Sequence, residues 1–313
     1  MGPKLQRSML KLSLFMPLYP HDKSGPLPNA ISVDVEDYFH TEAMSKAVSR
    51  SDWDKMPGRV QRNTERLFEL FAAKKVRGTF FFLGWVAERY PGLVRQAREL
   101  GHEIACHSYW HRPIYTLSAA EFREDLHRAK AVIEDAAGIK IKGYRAPSFS
   151  MTPGTEWAAE ILAETGFTYD SSIHPVAHDL YDNRNAPRHP FRVAGTSLVE
   201  IPISTVRMGS RNFPFAGGGY FRLLPYAYVH WAIRKFNRVE KRPIVFYLHP
   251  WEIDPEQPRL PAGQKSRLRQ YTGLGKTMRN LGQLLEEFSF APICDVFFEE
   301  AAVLPRASGI AQD

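Results

Sequence analysis

The sequence predicts one α/β domain with a largely parallel sheet, and three observations predict it. Short apolar runs of strand length alternate with longer segments of helical periodicity through most of the chain, which is the pattern of repeated βα units. No low-complexity linker divides the 313 residues, a length that suits one large domain or two small ones. The polar residues Asp34, Glu36, Asp37, His107, His111, Arg145, Asp170 and His249 all fall at or just beyond the ends of expected strands. In a parallel barrel those ends share one rim, where active sites are built. A count of about seven or eight strands suits such a barrel.

The elements follow in order. Residues 1–28, with Pro3, Pro17, Pro20, Pro26 and Pro28, read as a poorly ordered leader. Ala30-Ile31-Ser32-Val33 is a first strand that ends in the acidic cluster Asp34 to Asp37. Residues 38–57 read as a loop with some helical character. A helix over 59–75 places Val60, Leu67, Leu70 and Phe71 on its apolar side. Thr79 to Leu83 is an apolar strand buried on both faces. A helix around 93–100 and a strand at Glu103 to Cys106 come next. Ser118 with Glu121 forms a capping box for a helix that Gly138 ends. A strand over 139–143 delivers Tyr144 to Pro147, a helix marked by Trp157, Ile161 and Leu162 closes at Gly166, and 167–170 is another strand. Beyond a long polar loop at 174–196 come a strand at 197–204, a flexible turn at Gly217-Gly218-Gly219 and a helix with Val229, Ile233 and Phe236. A strand over 243–248 ends in His249. A last helix spans about 276–288, and 293–298 reads as a closing strand or turn.

Hydrophobic residues make up 44% and charged residues 24% of the chain, so an ordinary globular core is expected. The net charge of +7 is not gathered into a Lys/Arg block, and no nucleic-acid-binding motif is present. No nucleic-acid partner is therefore expected; the charge suits an anionic membrane surface or polymer. Cys106 and Cys294 lie far apart and imply no disulfide framework. The run from Leu12 to Leu18, broken by Pro17, is too short to span a membrane and has no small-residue cleavage site. The expectation is a cytoplasmic protein with peripheral contact with membrane.

His107-Ser108-Tyr109-Trp110-His111 is the chemical centre of the sequence. Histidines four apart share one face of a helical turn, or of the tight turn leading into one. Two neutral imidazoles and one carboxylate from the Asp34–Asp37 cluster, with room for water, are a common hydrolytic zinc set.

The succession of acidic cluster, HSYWH, Arg145-Ala146-Pro147 and Leu248-His249 resembles the polysaccharide deacetylases of NodB homology, carbohydrate esterase family 4, over roughly residues 30–255. Asp34-Val35-Glu36-Asp37-Tyr38-Phe39, Tyr169-Asp170-Ser171-Ser172 and His249-Pro250-Trp251-Glu252 are similar in particular to the branch found with bacterial exopolysaccharide and exosortase (PEP-CTERM) systems. The resemblance implies a single-domain, irregular (β/α)7-type barrel over 29–300, with a family-specific segment at about 250–300. It implies a metal-dependent hydrolase that removes N-acetyl groups from N-acetylhexosamine units of a polysaccharide or its lipid-linked precursor.

Asp34 is then the general base, and His107, His111 and either Glu36 or Asp37 hold the metal. Val35 stands where the family has a second adjacent aspartate; alternation along a strand favours Glu36, whereas a turn would favour Asp37. Arg145 would fork onto Asp34. His249 would protonate the leaving amine, with Asp170 raising its pKa. The Ser148 backbone N–H would help hold the oxyanion. Leu248 and Trp251 would line the acetyl pocket, and Tyr220 and Phe221 would contact sugar. Zn2+ is the expected metal, with Co2+, Ni2+ or Mn2+ as substitutes. Two other readings remain: a hydrolase of small cyclic amides, and a carbohydrate-binding protein without catalysis. The joint presence of base, ligands, Arg145 and His249 weighs against the second.

Overall fold

The computed structural model describes residues 28–298, so the leader expected over 1–28 lies, but for Pro28, outside the described residues. The strands are β1 (Asn29–Val35), β2 (Thr79–Phe82), β3 (Glu103–Cys106), β4 (Gly143–Tyr144), β5 (Tyr169–Asp170), β6 (Phe191–Arg192), β7 (Val199–Glu200), β8 (Thr205–Met208), β9 (Arg211–Pro214), β10 (Val245–Leu248) and β11 (Phe290–Ala291). The main sheet runs β10-β1-β2-β3-β4-β5-β7-β6, with β11 added beside β1. Every pair is parallel except β6 with β7. β10 and β6 stand at opposite ends of this order, so the sheet curls into a half-barrel and does not close.

β1 and β2 are buried along their whole length, as apolar strands covered on both faces must be. The helices pack outside them. In Val60–Ala73, Val60, Leu67, Phe68 and Phe71 face inward. Ala119–Ala137 opens with the Ser118–Glu121 capping box and stops at Gly138, whose φ of 64° is left-handed. The sheet thus aligns the C-terminal ends of β1, β3, β4 and β10, which carry the candidate residues.

Several expectations need correction. The strands expected at 139–143, 167–170 and 197–204 shrink to two residues each, because the chain makes only short parallel pairings there. The closing segment is a short helix, Ile293–Phe297. The β8–β9 hairpin and a helix at Gln264–Tyr271 lie where no element was expected. Gly217-Gly218-Gly219 is not a flexible turn: it opens the helix Gly218–Leu223. A Cβ on Gly218 would stand 1.6 Å from Glu252 Oε2, and one on Gly217 would stand 2.4 Å from the Tyr247 ring. Close approach of backbone to those side chains is what requires glycine here. Among the described residues, no helix is long and apolar enough to cross a membrane.

Candidate active site

β1 delivers Asp34 from inside the strand and Glu36 just after it. The Glu36 N–H donates to the Asp34 carbonyl at 3.0 Å, a tight turn that aims both carboxylates to the same side. Asp37 turns the other way. Its carboxylate accepts from the backbone N–H groups of Tyr38, Arg59 and Val60 at 2.9, 2.6 and 2.9 Å. It therefore caps the start of the Val60–Ala73 helix from a distant part of the chain. Burial pushes its pKa up to about 6, against those hydrogen bonds. Of the two carboxylates left open by the sequence, Glu36 and not Asp37 joins the histidines.

The HSYWH stretch is not a helical turn. Ser108 and His111 have φ of 66° and 51°, and the chain bends instead. Buried Asp125 holds the bend, accepting from Ser108 Oγ at 2.7 Å and from the Tyr109 and Trp110 N–H groups at 2.8 and 3.1 Å. Glu36, His107 and His111 are all buried, and one ligand atom from each lies within 4.8 Å of the others. His107 Nδ1 donates to the Arg145 carbonyl at 2.8 Å, which leaves Nε2 as the free lone pair. Burial lowers the His107 pKa to about 4, so the ring is neutral at neutral pH. His111 Nε2 stands 2.7 Å from Glu36 Oε2. That oxygen nevertheless has no aligned hydrogen bond, and neither does His111 Nδ1. A carboxylate oxygen and an imidazole nitrogen this close, beside a second imidazole, suit a shared cation. Burial works against the Glu36 charge, but neighbouring His111, His249 and His107 hold its pKa below the usual carboxylate range. The donor set therefore fits a divalent metal.

Arg145 follows β4 and is fully buried. Its fork does not close on Asp34 as a bidentate pair. Nη1 donates to Asp34 Oδ1 at 2.6 Å and to Ser32 Oγ at 2.8 Å, while Nε and Nη2 donate to the Ser171 carbonyl and Oγ at 3.0 and 2.9 Å. Spreading the donors over three residues fixes Asp34 through one oxygen and leaves Oδ2 for chemistry. That oxygen lies 3.9 Å from His249 Nε2, and Glu36 Oε1 lies 3.7 Å from the same nitrogen.

The acid behind His249 is Glu252, not Asp170. Glu252 Oε2 accepts from the His249 N–H at 3.0 Å and lies 3.1 Å from Nδ1. Glu252 is itself fully buried, with Oε1 receiving Arg222 Nε at 2.7 Å. Burial alone would lower the His249 pKa, but the Glu252 bond and the charges of Glu252, Glu36 and Asp34 raise it to about 9. His249 therefore keeps its proton at neutral pH. Asp170 instead contacts Ser172 and pairs across β5 and β7 with Glu200. Burial pushes both carboxyls up, Asp170 to about 6, and the Asp170 charge raises Glu200 further. Glu252 was present in the sequence as the last residue of HPWE. Its anchor, Arg222, lies thirty residues earlier.

The remaining sequence candidates divide. Trp251 is buried, stacks on His249 at 5.2 Å and donates from Nε1 to Glu36 Oε1 at 3.1 Å. It thus orients a ligand carboxylate besides supplying apolar surface. Ser148 is half-buried in the turn after Arg145, with φ of 55°. Tyr220 is half-buried, 5.8 Å from the ring of His174. Phe221 and Leu248 are core residues: Phe221 packs on Phe246 at 5.3 Å, and Leu248 pairs with Val33 inside the sheet. Phe221 therefore offers no face to a sugar. His174, expected on a polar loop, is fully buried.

Replacing Glu252 with Gln tests the coupling to His249. Were His249 the general acid, the wild-type alkaline limb of kcat/KM would fall near pH 9, where its proton is lost as pH rises. In Glu252→Gln the limb moves down towards the ordinary histidine value of about 6.5, with KM little changed. A limb that stays in place assigns the proton to another group.

Together these features place a candidate metal-binding set beside a buried carboxylate and a protonated histidine on a curled parallel sheet. Residues 43–169 match the family model described as polysaccharide deacetylase, and residues 171–298 match a domain of unknown function, DUF3473. Residues 43–169 are thus similar to the polysaccharide deacetylases. A bifunctional xylanase/deacetylase of Pseudobutyrivibrio xylanivorans is 28% identical over 89 residues, covering 28% of this chain and 15% of that protein. A peptidoglycan-N-acetylglucosamine deacetylase of Bacillus cereus is 28% identical over 98 residues, covering 31% of this chain and 36% of that one. The matched segments thus span about a third or less of those relatives. A solved Mycobacterium smegmatis structure assigned to the polysaccharide deacetylases shares the fold, with a TM-score of 0.54 and 22% identity, covering 93% of this chain and 97% of that one.

Proposed function

We propose that this protein is a metal-dependent N-deacetylase acting on N-acetylhexosamine units of a polysaccharide or its lipid-linked precursor. One observation carries the reading: His249 Nε2 lies 3.9 Å from Asp34 Oδ2 and 3.7 Å from Oε1 of Glu36, the carboxylate that joins His107 and His111 in a three-residue donor set. Glu36, His107 and His111 would hold the cation, with zinc the first choice for two imidazoles and a carboxylate. Such a cation supplies Lewis acidity to the acetyl carbonyl and acidifies a water at neutral pH.

The chain's own residues perform the proton work. Asp34, fixed through Oδ1 by Arg145, takes a proton from the attacking water at Oδ2. Water oxygen bonds to the acetyl carbon as the carbon–nitrogen bond breaks. His249 donates its Nε2 proton to the departing nitrogen, while Glu252 and Arg222 hold its ring in place. Acetate and a free amine result. The motifs DVEDYF, YDSS and HPWE, similar to those of the exosortase-associated branch, support a role in exopolysaccharide synthesis.

The test is acetate release from a panel of N-acetylated oligosaccharides by chelated protein, with and without added zinc. Release that depends on metal is expected, and His107→Ala should lose both stoichiometric metal uptake and turnover. Metal uptake with no release from any sugar, but hydrolysis of a small cyclic amide, would overturn the substrate class. Sugar binding with neither metal nor turnover would reduce the protein to a binding module.

A further inference from the structure

One basic stretch of this protein also exposes apolar side chains. Residues 205–242 hold eight arginines and lysines and a single acidic residue, Glu240, a surplus equal to the +7 of the whole chain. Of the eight, Arg222 is buried on Glu252; the others are exposed or half-buried. Glu240 is already paired with Arg188 and His189.

The same stretch exposes large apolar side chains. In the helix Tyr226–Lys235, Val229, Ala232 and Ile233 face the core, so helical spacing turns Trp231, Arg234 and Arg238 outward. Trp231 is 42% exposed, and Val239 on the following helical turn is 71% exposed. The β8–β9 hairpin lies beside this helix. Lys235 Nζ donates to the Arg207 carbonyl at 3.3 Å, and Tyr228 OH donates to the Pro214 carbonyl at 3.5 Å. The register Met208↔Arg211 and Val206↔Phe213 puts Met208, Arg211 and Phe213 on one face of the hairpin, whose inner end is the buried Val206. Met208 and Phe213 are both solvent-exposed there.

We infer that the face formed by the β8–β9 hairpin and residues 226–242 docks the protein on an anionic lipid bilayer. Exposed Trp, Val, Met and Phe set among Arg and Lys match an interface whose headgroups are negative and whose depth is apolar. Long cationic side chains keep their heads at the phosphates while apolar neighbours sink below. An anionic polymer would use the cations but would gain little from Val239 or Met208. A second copy of the chain would set like charge against like in a two-fold interface. The inference does not depend on the deacetylase reading, since vesicle binding is measured without substrate.

The experiment is flotation of the full-length protein with vesicles of phosphatidylcholine alone and with added phosphatidylglycerol. Binding to the anionic vesicles only is expected. Arg234→Glu with Arg238→Glu should weaken it by at least about tenfold. Trp231→Ser with Val239→Ser, which leaves the charge unchanged, should weaken it by about fivefold or more. Unchanged thermal unfolding of both double variants shows that they fold. No binding of the wild type to anionic vesicles overturns the inference. So does binding that neither double variant alters, which would place the contact elsewhere in the chain. Loss in the charge variant alone, with competition by soluble polygalacturonate, would replace the bilayer with an anionic polysaccharide.

Discussion

Asp34→Asn is expected to lower kcat by about 10³-fold, within the range a general base contributes, while the protein still takes up its divalent ion. The amide retains an oxygen for Arg145 Nη1, now 2.6 Å from the Asp34 carboxylate. It cannot accept a proton from water. Metal uptake is unaffected because the donor set is Glu36, His107 and His111. Metal content by plasma emission, measured beside single-turnover rates, checks both halves. Loss of metal would make Asp34 a ligand and require another base. Retained turnover would remove it from the proton path.

Arg145→Met should produce the largest loss of stability. The guanidinium is fully buried and donates to Asp34, Ser32 and Ser171. Removing it leaves the Asp34 carboxylate buried without its counter-charge, at a cost of about 3–5 kcal/mol. For a domain of this size the midpoint of thermal unfolding should fall by roughly 5–10 °C. Adding Asp34→Leu to Arg145→Met removes the orphaned charge and should restore part of that loss but none of the activity. A single variant as stable as wild type would mean that water or another cation reaches Asp34.

Much of the site could be read from the sequence because its chemistry sits at strand ends. Apolar runs located β1, β2, β3 and β10, and the polar residues that follow such runs fall on one rim. The Ser118–Glu121 box and Gly138 could be read locally because a cap depends on residues three or four apart. The two-residue strands β4, β5 and β7 could not, since their pairing is set by neighbours far along the chain. The partner of His249 was missed although it lies only three residues away. Asp170 was the acidic residue in a recognised motif, but the fold commits it to Glu200 and brings Arg222 to Glu252.

By itself, then, the sequence determined the α/β class, the succession of the main strands along the chain and the place of His107, Arg145 and His249 just after strands and of Asp34 within the first. These rest on periodicity and on side-chain chemistry, both of which are local. Only the tertiary structure decided between Glu36 and Asp37, and it did so through the helix whose N-terminal N–H groups claim Asp37. Only the tertiary structure turned Trp251 onto Glu36, spread Arg145 over Ser32, Asp34 and Ser171, and opened the barrel between β10 and β6. Each of these is a choice among buried polar partners, and a buried group must bond whatever the fold places beside it.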